Sequence, residues 1–296
     1  MIKTLTLALI SLAFTLGVPL KSGAETVLER VARTGTLVVG TATDLVPLAY
    51  VNDKNELVGY SIDYLNFLKN QLQTQLGRDV TLQFVEVTPT DAIPKLISQE
   101  VDIICNAAFT WERDKFVDFS VSMGLGGTRL LVKGGSQLGS VDSLAGKRIA
   151  AIRNSIPAQV IKVLQPKAII VNVESMQEGF DSVKQGKVDG FAASGIVLDG
   201  YRQTVSDKNA YQVVPQKPYN REGIACMVPE NNSKFLDVVN FSVVRLMQGY
   251  LDGEPSSVAI VERWFGKDGI ITIDPELIRN YFQDVVNSRE QIIIEK

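Results

Sequence analysis

Residues 148–173 read RIAAIRNSIPAQVIKVLQPKAIIVNV, and this stretch is the clearest indication of the fold class. The apolar run over residues 148–152 is typical of a buried strand, and so is the run over residues 168–173. Between them, residues 157–164 have the length and composition of a helix. A helix that connects two strands is characteristic of layered α/β proteins, so the stretch predicts two parallel strands joined by a crossover helix.

The same alternation of strands and helices continues along the rest of the chain. Residues 37–40 predict a buried strand, and residues 80–87 alternate apolar and polar side chains as a half-buried strand does. Between them, apolar residues three and four positions apart predict an amphipathic helix over 62–76, with Ser61 as its N-cap and Gly77 just past its end. We therefore expect an α/β fold in which the sheets are mostly parallel and flanked by helices.

The composition narrows the classes of function. The chain has 296 residues, of which 45% are apolar and 21% are charged, so it has enough apolar surface for a folded core and room for two domains. A net charge of −3 argues against a nucleic-acid partner. The complete lack of histidine excludes a Ser-His-Asp triad, a His-ligated zinc and a histidine general base. We expect neither a metal nor a cofactor.

The N-terminus has the features of a secretory signal peptide. Lys3 is followed by an uncharged, largely apolar run over residues 4–20 and by small residues at 22–24. The alternative is a membrane anchor, but the run is short for a bilayer span and Pro19 lies near its end. We expect cleavage after Ala24, and export of a soluble chain to the periplasm.

Export changes the interpretation of the two cysteines, Cys105 and Cys226. They are too far apart for a CxxC or metal motif, and in an oxidising compartment an even number of cysteines favours a disulfide. The alternative is a pair of buried thiols that act as small apolar side chains.

Three junctions between a predicted strand and the following loop could carry a ligand site. They are the segments over residues 40–47, 105–113 and 152–157. In open α/β sheets ligands bind at the carboxyl ends of strands, where helix N-termini and free N–H groups face outward. An anionic group would suit Arg113 and the turn at Asn154, Ser155 and Ile156. Each junction also has an ordinary structural interpretation, as a solvated surface arginine or a simple helix cap.

At these residues the sequence resembles a known family, the periplasmic amino-acid-binding proteins of ABC importers (solute-binding family 3). Within that family it is most similar to the glutamate/aspartate-binding branch. The similarity extends over nearly the whole chain after residue 24. It is carried first by residues 40–64, which include VPLAYVNDKNELVGYSIDY, and by residues 93–132, which include the strand from Asp102 to Cys105, Glu112-Arg113, Asp118-Phe119-Ser120 and the start of GTRLLVKGG. Further matches are LAGKR at 144–148, GKVD at 186–189 and residues 223–228.

The resemblance implies a two-lobed type II periplasmic-binding-protein fold that closes on its ligand by hinge bending. The first lobe would comprise residues 25–126 plus 224–296, and the second residues 127–223. The chain would cross between them twice, and Cys105 and Cys226 would lie on neighbouring strands of the first lobe. The implied partners are a small-molecule ligand and the membrane subunits of the importer, with the binding protein itself a monomer.

The resemblance also implies roles for individual residues. Arg113 would hold the α-carboxylate of the ligand through a bidentate hydrogen bond, assisted by backbone groups of Asn106 and Ala108. The turn at Asn154, Ser155 and Ile156 would contribute from the second lobe.

The sequence departs from the family at three expected ligand positions. Ser194 stands where the family usually has an aspartate that pairs with the α-ammonium, and Leu45 replaces the usual aromatic. Ala42 stands where dicarboxylate binders carry an arginine for the side-chain carboxylate. Because a buried ammonium without a counter-charge is costly, these changes argue against glutamate or aspartate as ligand, with Asp44 and Glu222 as candidate replacements for the acid.

We therefore predict an extracytoplasmic solute-binding protein, not an enzyme, for a small carboxylate-bearing solute such as an amino acid or a close relative. Two alternatives stay open. One is an enzyme on the same scaffold, dehydratase-like or related to the cell wall, for which Glu222 is the candidate acid. The other is a protein that has lost its ligand and now acts as a sensor or scaffold.

Overall fold

The computed structural model describes residues 25–288; the predicted signal peptide and its cleavage site lie outside this range, as do residues 289–296. The helices are α1 (Val27–Thr34), α2 (Tyr60–Leu76), α3 (Ala92–Ile97), α4 (Ile156–Leu164), α5 (Met176–Lys184), α6 (Gly195–Thr204), α7 (Ser233–Leu251), α8 (Pro255–Phe265) and α9 (Pro275–Asn287). The strands are β1 (Thr36–Thr41), β2 (Asp44–Leu45), β3 (Ala49–Val51), β4 (Leu57–Val58), β5 (Thr81–Glu86), β6 (Ile103–Ala108), β7 (Val117–Phe119), β8 (Gly124–Gly126), β9 (Thr128–Lys133), β10 (Arg148–Ile152), β11 (Ile169–Val173), β12 (Gly190–Ser194), β13 (Tyr211–Val214) and β14 (Glu222–Pro229).

Two large sheets organise the chain into two lobes. The sheet of the first lobe has the order β5-β1-β6-β14-β7, with β8 also paired to β14. The sheet of the second lobe has the order β11-β10-β12-β9-β13. The chain passes from the first sheet to the second between β8 and β9, and it returns between β13 and β14. The predicted α/β, two-lobed fold is confirmed.

Both sheets are mixed, which corrects the expectation that they are mostly parallel. Strands β5, β1 and β6 are parallel, as are β11, β10 and β12. Strand β14 runs antiparallel to β6, β7 and β8, and β9 runs antiparallel to β12 and β13. The strands β9 and β14 arrive from the other lobe rather than through a crossover helix on their own sheet, so they are free to run in the opposite direction.

Helix α2 begins earlier than its apolar periodicity indicates. Its N-cap is Gly59, with φ 142°, and not the predicted Ser61. A Cβ at position 59 would lie 2.2 Å from the carbonyl oxygen of Leu48, so only glycine allows the chain to pass this close to the preceding hairpin. The other end is as predicted, because Gly77 adopts the left-handed conformation just past Leu76.

The predicted disulfide is present and joins Cys105 on β6 to Cys226 on the neighbouring strand β14. On the same lobe, α9 packs against α7, where the rings of Tyr250 and Phe282 meet edge to face with centroids 5.4 Å apart. Within residues 25–288, no helix has both the length and the apolar character needed to cross a bilayer.

Candidate functional site

A cavity of about 210 Å³ lies between the two lobes, at the carboxyl ends of several strands. The first lobe lines it with Ala42, Leu45, Leu48, Val87, Thr88, Pro89, Ala92, Ile93, Ile104, Cys105, Asn106, Ala107, Ala108 and Arg113, and β14 adds Glu222, Ile224 and Met227. The second lobe lines it with Ile152, Ser155, Ile156, Pro157, Met176, Ala192, Ala193, Ser194 and Val197. All the predicted ligand-binding residues except Asn154 therefore come together here, and of the two candidate acids only Glu222 joins them.

Arg113 is fixed in the cavity by the loop that follows β6. Its backbone N–H donates to the carbonyl and hydroxyl oxygens of Thr110, and its Nη1 donates to the carbonyl oxygen of Ala108, 3.0 Å away. No carboxylate of residues 25–288 lies within ion-pair distance of the guanidinium. Burial lowers the pKa of Arg113, and the charge of Glu222 opposes this effect. Most of the guanidinium donors are thus left for a ligand.

The turn before α4 leaves one backbone donor beside the same cavity. Asn154 has a φ of 59°, which reverses the chain between β10 and α4, while its side chain is not part of the lining. The Ser155 hydroxyl caps the helix by accepting from the N–H of Ala158 at 3.3 Å, and Pro157 has no N–H. Because first-turn N–H groups have no intrahelical acceptor, the N–H of Ile156 is left as a donor beside the cavity.

The Ser194 hydroxyl is a buried polar atom with no hydrogen-bond partner in the described part of the chain. Ser194 ends β12 and precedes α6, which its side chain does not cap. Buried polar atoms are normally paired, so a free hydroxyl in a cavity is suited to bonding a ligand. Nearby, the Ser61 hydroxyl donates to the side-chain oxygen of Asn106, so a residue of α2 fixes the orientation of the Asn106 side chain.

Glu222 is a half-buried carboxylate of the same cavity. Asn220 donates from Nδ2 to Glu222 Oε2 at 3.2 Å and accepts from the N–H of Thr128 at 2.8 Å, which ties the carboxylate to the start of β9. Burial raises the pKa of Glu222, and this outweighs the opposite effects of the Asn220 hydrogen bond and the Arg113 charge.

Asp44, the other candidate acid, does not line the cavity. Its Oδ2 accepts from the backbone N–H of Met176, 3.1 Å away at the start of α5. It therefore joins the first lobe to the second, and a carboxylate there also complements the positive end of the helix dipole.

Several residues of the lining are not among those predicted from the sequence. Thr88 and Pro89 follow β5, and Met176 and Val197 lie in the first turns of α5 and α6. The rule that ligands bind at the carboxyl ends of strands applies to all four. This rule identifies strand ends as candidate positions, but it does not show which strand ends face each other in the fold.

A second cavity, of about 260 Å³, lies next to the first, between α9 and the strands β8 and β14. Leu48, Asn106 and Ile224 line both cavities. The described residues that line it include no charged side chain, so it offers no partner for a carboxylate. Nor do residues 25–288 contain a group of three or more acidic or cysteine side chains placed to hold a metal ion.

Residues 37–267 match a family whose description is bacterial extracellular solute-binding proteins, family 3. The chain belongs to this family, as its sequence motifs predict.

Individual relatives agree with this assignment. The chain is 25% identical over 250 residues to the glutamate/aspartate import solute-binding protein of Salmonella typhimurium, covering 82% of this chain and 80% of that protein. It is 28% identical over 251 residues to the ABC transporter glutamine-binding protein GlnH of Bacillus subtilis, covering 84% and 88%. An ancestral arginine-binding protein bound to glutamine has the same fold, with a TM-score of 0.69 at 25% identity, and covers 79% of this chain and 99% of that chain.

Proposed function

We propose that this protein captures an amino acid outside the cytoplasm and delivers it to the membrane subunits of an ABC importer. The observation that carries the proposal is Arg113, a guanidinium without a carboxylate partner among residues 25–288 that faces a cavity between two lobes. The names of the relatives, which include glutamate/aspartate- and glutamine-binding proteins, support an amino acid as ligand. The protein acts in the periplasm as a monomer, after cleavage behind Ala24.

The residues of the cavity suit both the carboxylate and the remainder of such a ligand. Arg113 binds the carboxylate with two parallel N–H donors, and the N–H of Ile156 adds a donor from the second lobe. The Ser194 hydroxyl supplies a further hydrogen bond, while Leu45 and Ala42 contact the rest of the ligand. Asn106 and Ala108 contribute from the end of β6, and Asn154 acts by shaping its turn.

Binding and release follow from rotation of the lobes. Among the described residues we place the first lobe at residues 25–126 plus 222–288 and the second at residues 127–221, which moves the expected boundary by two residues because β14 belongs to the first sheet from Glu222 onward; the two crossings form the hinge. Ligand contacts from both lobes favour the closed state over the open one, because a ligand shifts an equilibrium only by its differential affinity. The importer's membrane subunits then distinguish the closed, loaded protein from the open one.

A titration with two arginine variants tests the proposal. The protein is expressed from the full sequence, purified after export, screened against the common amino acids by thermal shift, and titrated calorimetrically with each hit. Arg113→Met should weaken ligand binding by about 100-fold or more, since it removes the protein's member of the buried charge pair that Arg113 forms with the ligand carboxylate. Arg153→Met is the matched control, because Arg153 pairs with Glu174 on the surface outside the cavity. Equal affinities of the Arg113→Met variant and the wild type would overturn the assignment, and a screen without any hit would overturn the function.

An enzyme on the same scaffold is a second candidate function, favoured by one observation. Glu222 is a carboxyl group in the cavity between the lobes, and burial raises its pKa, as a general acid requires. Proton NMR spectra of each binding ligand, incubated with the protein for a day, distinguish the two functions. A pure binding protein returns its ligand unchanged, whereas a new set of resonances that grows with protein concentration identifies turnover.

A further inference from the structure

Arg113 and Glu222 are the charged side chains of the ligand cavity; every other described residue that lines it is uncharged. They carry opposite charges, and each influences the pKa of the other, yet they do not form an ion pair with each other. The cavity therefore holds one cation and one anion with a gap between them. Two opposite charges that do not pair with each other fit a ligand that itself carries one negative and one positive group.

The strand register places Glu222 close to Arg113. Ile224 of β14 is opposite Ala108 of β6, and the Ala108 carbonyl oxygen accepts from the Arg113 guanidinium. Glu222 is two residues from Ile224 on the same strand, so their side chains share one face of the sheet and their Cα atoms are about 7 Å apart. Glu222 and Arg113 thus reach into the cavity from two adjacent points.

Glu222 keeps one oxygen available for a ligand. Asn220 donates to Oε2, and no hydrogen bond to Oε1 comes from residues 25–288. A half-buried carboxylate with a single donor is incompletely satisfied, and a ligand ammonium would complete its hydrogen bonding.

We propose that the ligand is a zwitterionic α-amino acid with an apolar side chain, whose ammonium group is held by Glu222 instead of an acid at position 194. The inference deepens the proposed function and rests on it. With Arg113 on the carboxylate and Glu222 on the ammonium, the charges of protein and ligand balance, whereas a simple carboxylate would leave Glu222 unpaired.

The remaining lining selects the side chain. Leu45, Ile93, Ile152, Met176 and Val197 are apolar, and no third charged group of the described lining is available to a charged side chain. Burying the side-chain carboxylate of glutamate or the guanidinium of arginine here would leave a charge without a partner. Burial of an aliphatic side chain here is favourable in free energy, and it leaves no charge without a partner.

The experiment uses L-leucine and 4-methylpentanoate, which is leucine without its amino group, as probes for titration calorimetry. Wild-type protein should bind L-leucine about 30-fold or more tightly than 4-methylpentanoate. Glu222→Gln should remove most of this difference by weakening L-leucine alone. Glu230→Gln is the control, because it removes the same charge from an exposed residue just beyond the other end of β14.

The possible results separate the inference from the function on which it rests. If Glu222→Gln lost the same factor of affinity for both probes, or lost affinity for neither, the role of Glu222 would be overturned. Should that variant not fold, the preference of the wild type for L-leucine over 4-methylpentanoate decides, and equal affinities contradict the inference. Tighter binding of L-glutamate or L-arginine than of L-leucine and L-valine would refute the apolar side chain yet leave an amino-acid receptor. Binding of no amino acid at all would refute both proposals.

Discussion

The carboxylate of Asp44 accepts a hydrogen bond from the backbone N–H of Met176, 3.1 Å away on the other lobe. A second interlobe contact lies close by, where a Cβ at Gly200 of α6 would be 2.4 Å from the carbonyl oxygen of Val46. The buried apolar cluster also continues from the first lobe into the second. In this structure the two lobes are therefore in direct contact beside the cavity that lies between them.

Gly200→Ala should weaken ligand binding and leave the fold of the second lobe intact. The new methyl group meets the Val46 carbonyl oxygen only when the lobes are closed, so it penalises the closed state alone. We expect a loss of affinity of about 10-fold or more, together with a melting temperature of the free protein that is unchanged or slightly raised, because alanine is the better helix former. The measurements are titration calorimetry and thermal unfolding without ligand.

Gln203→Ala is the control for that substitution, since Gln203 is an exposed residue of the same helix. If Gly200→Ala bound ligand as tightly as Gln203→Ala, the close contact at Val46 would not be part of the ligand-bound state.

Ligand affinity should fall as the pH is lowered from about 8 to about 5, because the ligand ammonium requires the ionised form of Glu222. Burial raises the pKa of this carboxyl, so protonation begins at a higher pH than for an exposed glutamate. Calorimetric titrations with L-leucine across this range measure the effect. A pH profile that is equally steep in the Glu222→Gln variant would show that another group is responsible.

Glu222→Gln should also raise the stability of the unliganded protein at neutral pH. A raised pKa in the folded state means that the ionised form is disfavoured by folding, so stability is lost as the pH rises through the folded-state pKa. Glutamine avoids this cost and can still accept the Asn220 hydrogen bond. We expect a rise of roughly 1–3 °C in melting temperature near pH 8 and a smaller difference at lower pH. A less stable variant at both pH values would contradict the destabilising role of the charge.

Loss of the disulfide should destabilise the first lobe strongly. Cys105 and Cys226 are 121 positions apart, and a cross-link over so long a loop contributes about 4–5 kcal/mol in the loop-entropy estimate. The double variant Cys105→Ser, Cys226→Ser should therefore melt roughly 8–15 °C below the wild type. Reduction of the wild type with dithiothreitol provides the comparison, and a melting temperature within about 2 °C of the oxidised protein would contradict the expectation.

The local part of the site was predictable from sequence, because it depends on short-range signals. The Ser155 cap, Pro157 and the preceding apolar strand are consecutive, and they define the strand-to-helix turn without any distant contact. The direction of β9 and β14 was not predictable in this way, since it depends on how the chain crosses between lobes. The early start of α2 at Gly59 depends on a close approach to Leu48, which has no local signature.

The two candidate acids show the same limit of prediction from the sequence. Asp44 and Glu222 were equivalent in the sequence, as single carboxylates in loop or strand ends. Only the tertiary structure distinguishes them, because Asp44 accepts from the N–H of Met176 whereas Glu222 lines the cavity. Which acid faces a ligand is a property of tertiary structure, and a single sequence does not contain a local signal for it.

The most direct measurement is a crystal structure of the protein grown with L-leucine. We predict that the ligand lies between the lobes with its carboxylate on Arg113 and Ile156 and its ammonium within hydrogen-bond distance of Glu222. Density for the ligand in the apolar cavity between α9 and the strands β8 and β14, or between the lobes with its ammonium turned away from Glu222, would contradict this prediction.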